Sequence, residues 1–165
     1  IHGRTKKLQI ISPPGAKQRI AALMDLLYPG TPVLEKLDVD FLEYTADKML
    51  IAENFSVRAF EVIHSPQALP HGVRIEISDK VIAYSGDRCW TDVLLPLSDG
   101  ADLFICECNF FGTQVKGHMN YLELEKRLSE FSCKRMLLTH FDQEMLDRLG
   151  QLKLAYLNDG MELMV

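Results

Sequence analysis

Three apolar runs end in a residue that can bind a proton or a metal. "FEVIHSP" reaches His64, "VIAYSGD" reaches Asp87 and "RMLLTHFD" reaches His140. Two imidazoles and one carboxylate form a donor set suited to zinc or a similar divalent ion, because neutral imidazole nitrogen and carboxylate oxygen are both good ligands. Gly86, just before Asp87, lets the backbone turn sharply and aim the carboxylate inward. A fourth candidate, His118 in "KGHMNY", stands just before a predicted helix start. Free amides and the helix dipole favour an anion there, so this imidazole could contact a phosphate or give a proton to a leaving group. Each residue also has a plainer reading. A histidine after a strand is commonly a hydrogen-bonded surface or core residue, and an aspartate after Ser-Gly is commonly a turn residue or cap. No two of the four share the His-x-His or His-x-x-x-His spacing that marks a metal motif by itself. Spacing alone leaves both readings open, and His2 and His71 lack even this context.

The elements that must position these side chains are visible as alternating patterns. "KLQIIS" (7–12) is rich in strand formers and is stopped by "PPG"; Ile20, Leu23, Met24 and Leu27 then fall at helical spacing over 16–28. Short strands are predicted over 39–44, 48–52 and 56–63, followed by a hairpin of "VRIEI" and "VIAYS" around Ser78, Asp79 and Lys80. Beyond Asp87 strand and helix alternate: a short helix in "WTDVLLPL", a buried strand in "DLFICEC" and a helix in "NYLELEKRLSEF". The strand "RMLLT" and a short helix over 143–149 follow. Asn120 with Glu123 three residues on is a capping-box arrangement that starts the helix at Tyr121. The tail "LKLAYLNDGMELMV" predicts two strands around an Asn-Asp-Gly turn. Without a linker or internal repeat, the pattern predicts one α/β layered domain over residues 1–165.

Composition narrows the function. With 165 residues, 47% hydrophobic and 25% charged, the chain has enough apolar material for a sizeable core. No run approaches the roughly 18 apolar residues of a membrane span, and "IHGRTKKLQI" lacks the apolar stretch of a secretory signal, so a cytoplasmic protein without a membrane partner is expected. The net charge of −5 gives no general support to a nucleic-acid partner, although Arg4, Lys6 and Lys7 form a small local basic patch. Four cysteines (Cys89, Cys106, Cys108 and Cys133) without a Cys-x-x-Cys pair argue for reduced thiols, with Cys106 and Cys108 facing one side of a strand. The chain begins at Ile1 in mid-stride and is expected to be the later part of a longer protein.

Taken in order, "EVIHSP", "GVRIEISDKVIAYSGD", "ADLFICECNF", "GHMNY" and "RMLLTHFD" closely resemble the later portion of the metallo-β-lactamase superfamily, nearest to its ribonuclease Z-like hydrolases. The resemblance runs from "TKKLQIISPPG" to "LNDGMELMV" and implies the αββα metallo-β-lactamase fold, N-terminally incomplete. By this resemblance His64 binds the first metal, Asp87 bridges both and His140 binds the second. His118 of "GHMN" lines up with the family's Gly-His-Ser-Thr segment, whose histidine helps to protonate the leaving group, with Glu107 as a supporting partner. Two divalent ions, zinc or else manganese or iron, would share a hydroxide that attacks a phosphodiester or related ester.

Departures from the family pattern define further expectations. The His-x-His-x-Asp-His motif that supplies most of the ligands is not within these residues and is expected upstream of Ile1. The chain alone is therefore expected to bind metal poorly and not to catalyse, the intact protein being the metal-dependent hydrolase. Only 23 residues separate His64 from Asp87, leaving no room there for the long basic arm of transfer-RNA processing relatives, and "GDRCW" replaces their Gly-Asp-Thr. A small-molecule or nucleotide-type substrate is expected instead, and the resemblance leaves room for a homodimer. The alternative reading is a non-catalytic binding or assembly module of the same fold.

Overall fold

A computed structural model describes residues 5–46 and 48–165; Arg4 of the basic patch and His2 lie outside the described residues. The chain forms two compact units, one up to Thr45 and one from Ala46 onward. In the first unit strand β1 (Leu8–Ser12), helix α1 (Ala16–Leu27) and strand β2 (Val39–Glu43) make a strand-helix-strand crossover, with β1 and β2 parallel from Leu8↔Val39 to Ser12↔Glu43. The "PPG" stop after β1 places Gly15 at φ 84°, and its amide donates to Glu43 Oε1 at 2.9 Å. Lys7 of the basic patch is paired with Asp40 at 2.6 Å.

The second unit is a six-stranded sheet in the order β3 (Met49–Ile51), β4 (Phe55–Glu61), β5 (His71–Ile77), β6 (Lys80–Tyr84), β7 (Leu103–Glu107), β8 (Met136–Thr139). Pairs β3–β4, β4–β5 and β5–β6 are antiparallel, whereas β6–β7 and β7–β8 are parallel. The β5–β6 hairpin closes over Ser78 and Asp79, with Ser78 at φ 55°, the left-handed conformation that a tight two-residue turn between twisted strands requires. β7 is flanked on both sides and covered on both faces, which is why "LFICE" reads as a continuous apolar run rather than an alternation. Phe104, Cys106 and Leu138 share the core with Leu94 and Leu97 of helix α2 (Leu94–Ser98) and with Tyr121 and Leu124 of helix α3 (Tyr121–Lys126). Asn120 caps α3 as its spacing predicts, its side chain accepting from the Glu123 amide at 2.9 Å. Cys106 and Cys108 are both buried in that core, and all four cysteines are free thiols.

The tail corrects one expectation. No strand forms on either side of Asn158-Asp159-Gly160; the segment reaches β8 through a single bridge, Leu138↔Tyr156, with Leu157 N donating to Leu138 O at 2.8 Å. Alternation in "LKLAY" fits a strand, but a ladder needs a partner strand in register, and only one residue of β8 supplies it. Helix α4 is likewise short, Gln143–Leu146, and the chain then passes into a separate turn at Leu149–Gln151. Among the described residues no helix is long and apolar enough to cross a membrane.

Candidate metal centre at the strand ends

Strand direction brings the candidates together. Two successive antiparallel steps make β4 run the same way as β6, and β7 and β8 are parallel to β6. Four strands therefore deliver their carboxyl ends to one edge: His64 three residues beyond β4, Asp87 three beyond β6, Glu107 the last residue of β7, and His140 the first beyond β8. This is the edge at which α/β sheets build their sites, because the turns there are free of the ladder. Cys89 N donates to Ile63 O at 3.0 Å, tying the loop of Asp87 to the loop of His64. Ser85, fully buried, accepts from Glu107 N at 2.8 Å and donates to Gly86 O at 2.9 Å, fixing the turn against the end of β7.

Gly86 earns its place sterically. It sits at φ 64°, and a Cβ there would stand 2.6 Å from the His71 carbonyl oxygen at the start of β5. Gly86→Ala is expected to cost about 2–3 kcal/mol, from left-handed strain plus displacement of backbone. Chemical denaturation measures this, and a cost below about 0.5 kcal/mol would refute the steric account.

The imidazoles are oriented by partners of fixed polarity. His64 Nδ1 lies 2.8 Å from Gly117 O, and a carbonyl only accepts, so Nδ1 carries the proton and Nε2 is left as a donor for a metal. Gly117 is at φ 87°, and a Cβ there would press on His64 Nδ1 at 2.8 Å. His118 Nδ1 donates to Glu107 Oε1 at 2.8 Å, while Glu107 Oε2 accepts from Met119 N at 3.2 Å. The His118 ring stands 4.9 Å from that of His64 and 5.6 Å from that of His140. Burial pushes the Glu107 carboxyl above its ordinary range, opposed by its hydrogen bond from His118, the nearby Arg88 guanidinium and the Met119 amide.

His140 adopts φ 63°, a conformation that costs a residue with a side chain about 1–2 kcal/mol. Asn109 holds it there: its side-chain amide donates to His140 O at 2.9 Å and its own carbonyl accepts from Asp142 N at 2.9 Å. His140→Gly is expected to raise stability by about 1 kcal/mol while removing a donor group. Thermal or denaturant unfolding of the metal-free protein tests this; a loss of stability would mean that ring contacts outweigh the strain.

The donors fit a metal ion. His140 Nδ1 is 3.4 Å from Asp87 Oδ1 and 3.7 Å from Glu107 Oε1. The first separation exceeds a good hydrogen bond but matches the edge of about 3.3 Å between two ligands on a tetrahedral ion with bonds of about 2.0–2.1 Å. Donor atoms of Glu107, His118 and His140 also lie within 4.8 Å of one another, a second grouping able to hold an ion. Both Glu107 oxygens are already engaged, however, which suits that carboxylate better to orienting His118 than to ligating. The edge thus gathers the three strand endings His64, Asp87 and His140, and with them His118 from the segment before α3. Sequence reasoning missed the props: the Gly117 carbonyl, Asn109, and Arg88, whose charge lies fully buried behind Glu107. The replacement of the family's Gly-Asp-Thr by "GDRCW" was the one visible trace of the last.

Co-directional strand ends bearing imidazoles and carboxylates define an α/β protein built around a metal-competent edge. The chain belongs to the beta-lactamase superfamily, whose domain model matches residues 2–141, and it has the metallo-β-lactamase fold. It is 33% identical over 102 residues to the probable metallo-hydrolase YhfI of Bacillus subtilis (strain 168), across 60% of this chain and 41% of that protein. The crystal structure of the metallo-beta-lactamase fold protein YhfI from Bacillus subtilis matches with a TM-score of 0.70 and 25% identity, over 92% of this chain and 62% of that one. Human tRNase Z, short form, is similar in fold, with a TM-score of 0.67 and 21% identity over 96% of this chain and 68% of that one. The chain spans less than two thirds of the length of YhfI.

Proposed function

We propose that this chain supplies part of the metal centre of a metal-dependent hydrolase acting on a phosphodiester or related ester. The observation that carries the reading is the convergence of His64, Asp87, His118 and His140 on one sheet edge, with the Nδ1 atoms of His64 and His118 tied so that both Nε2 atoms remain available. On this reading His64, Asp87 and His140 would hold the metal, and the remaining donors would come from the family's His-x-His-x-Asp-His segment. Divalent metal, zinc by the donor chemistry, would polarise the substrate and lower the pKa of water. The names of similar proteins support the same chemistry: a probable metallo-hydrolase, a tRNase Z and a diphosphatase of the PhnP family.

The protein's own groups then have separate tasks. His118 holds a proton on the substrate side, oriented by Glu107 through Nδ1. Asn109 holds the backbone of His140, and the Gly117 carbonyl orients the His64 ring. Elemental analysis of the full-length protein is the direct test, with about two divalent ions per domain expected. Metal-dependent cleavage of bis(p-nitrophenyl) phosphate is expected with it. A protein free of metal and inert to that ester would be a binding module of the same fold, and the proposal would fall.

A further inference from the structure

His118 opens on a pocket that the hydrolase reading leaves without a task. A cavity of about 460 Å³ is bordered by His118 together with Cys89, Gln114, Lys116, Asn120 and Glu123. A second cavity of about 380 Å³ shares Gln114, Asn120 and Glu123 with it and adds Lys126 and Arg127. Shared walls make the two one trough leading away from His118. Three cations line it against a single carboxylate, in a chain whose net charge is −5. A local reversal of sign beside His118 attracts an anion to that place and not to the surface at large.

Lys116 is the cation nearest to His118 in sequence, and its backbone is not free to wander. His118 N donates to Val115 O at 3.1 Å, closing a tight turn with Lys116 second and Gly117 third, where φ 87° meets the requirement of a type II turn. The turn is pinned on its far side twice, by His64 Nδ1 on Gly117 O and by Glu107 on His118 Nδ1, each at 2.8 Å. The same bonds that orient the two histidines therefore fix the stem of Lys116. Neither Lys116 nor Lys126 makes an ion pair among the described residues, whereas Arg127 lies over the Trp90 ring at 4.3 Å and 3.6 Å from Glu130. Two ammonium groups thus remain for a ligand.

We infer that this trough is an anion subsite in which Lys116 binds a phosphate carried by the leaving group of the substrate. The inference rests on the hydrolase reading for the word leaving group, since His118 is the proton donor only there. It narrows the substrate class: a phosphodiester or diphosphate whose departing part bears further phosphate, as in a nucleotide. Lysine suits such a group because three donors on a compact charge accept any phosphate orientation, and Lys126 lies further along for a second negative charge.

Binding can be read without metal or turnover. The metal-free full chain is titrated with inorganic phosphate and, separately, with adenosine 5′-monophosphate, by calorimetry and by amide chemical shifts. Both anions are expected to move the amides of Gln114, Lys116 and Gly117. Lys116→Ala is expected to weaken them roughly tenfold, the usual worth of one charge-assisted contact. Lys80→Ala, the same loss of charge at the start of β6 on the opposite sheet edge, should change nothing. Equal affinities for the two anions support a site that reads phosphate alone; tighter binding of the nucleotide supports one that also takes the nucleoside. Unchanged affinity in Lys116→Ala, an equal loss in Lys80→Ala, or shifts elsewhere on the molecule would overturn the inference. Failure of the metal analysis would sink the hydrolase reading while leaving this binding result standing, so the two are separable.

Discussion

Replacing Glu107 by leucine is expected to lower the unfolding free energy by about 3–5 kcal/mol, a large share of the roughly 5–15 kcal/mol that holds a domain together. Two losses add. Glu107 Oε2 accepts from the amide of Met119, which is fully buried, and an amide stranded in the interior costs about 1–3 kcal/mol. The second loss concerns Arg88. Its guanidinium is fully buried and bonds Cys106 Sγ at 2.9 Å, while Nε and Nη1 have no hydrogen-bond partner among the described residues. Burial pushes the Cys106 thiol up, so that sulfur stays neutral, and the Arg88 charge acts on the Glu107 carboxyl, where it opposes the rise that burial causes. Glu107→Gln keeps an acceptor for Met119 but removes the charge, and about 1–2 kcal/mol is expected. Adding Arg88→Met to Glu107→Leu removes the uncompensated cation and should return part of the loss, since buried charges hurt most when one partner is left alone. Urea unfolding of the three variants beside Arg88→Met completes the cycle. Strictly additive costs would show that the two groups do not share a charge balance.

What the sequence disclosed about this edge, and what it hid, divides along the range of the interactions. Asn120 with Glu123, Ser78-Asp79 and the apolar run before Glu107 were legible because each is a local device: a cap, a turn, a doubly covered strand. The endings at His64, Asp87 and His140 were legible as endings. That they meet depends on β4 running with β6, which follows from two antiparallel steps that no local pattern fixes. The order of motifs shared with a family supplied that long-range information. The left-handed setting of His140 was invisible because histidine carries no backbone signal like that of glycine; Asn109, 31 residues earlier, imposes it. "LKLAY" failed in the opposite way, its alternation meeting only one partner residue at the sheet's edge.

His118→Ala is expected to slow metal-dependent hydrolysis in the full-length protein by about 10²- to 10⁴-fold, the usual contribution of a positioned general acid. The magnitude should depend on the leaving group. A p-nitrophenolate departs with little need of a proton, so bis(p-nitrophenyl) phosphate should lose least; an alkoxide must be protonated as it leaves, so an ester of a sugar hydroxyl should lose most. Metal content decides between the two geometries available to this ring. Its donor atom lies within 4.8 Å of those of Glu107 and His140, close enough for ligation, yet its Nδ1 is spent on a carboxylate whose other oxygen is spent on Met119. With Nδ1 held by Glu107, Nε2 is the ring nitrogen left to serve a departing anion, and His118 borders the same trough as Lys116. Retention of the full metal complement in His118→Ala, with the loss graded by leaving group, is the expected pair of results. A variant that loses one ion and slows all esters alike would make His118 a ligand and would move the proton donor elsewhere on the edge.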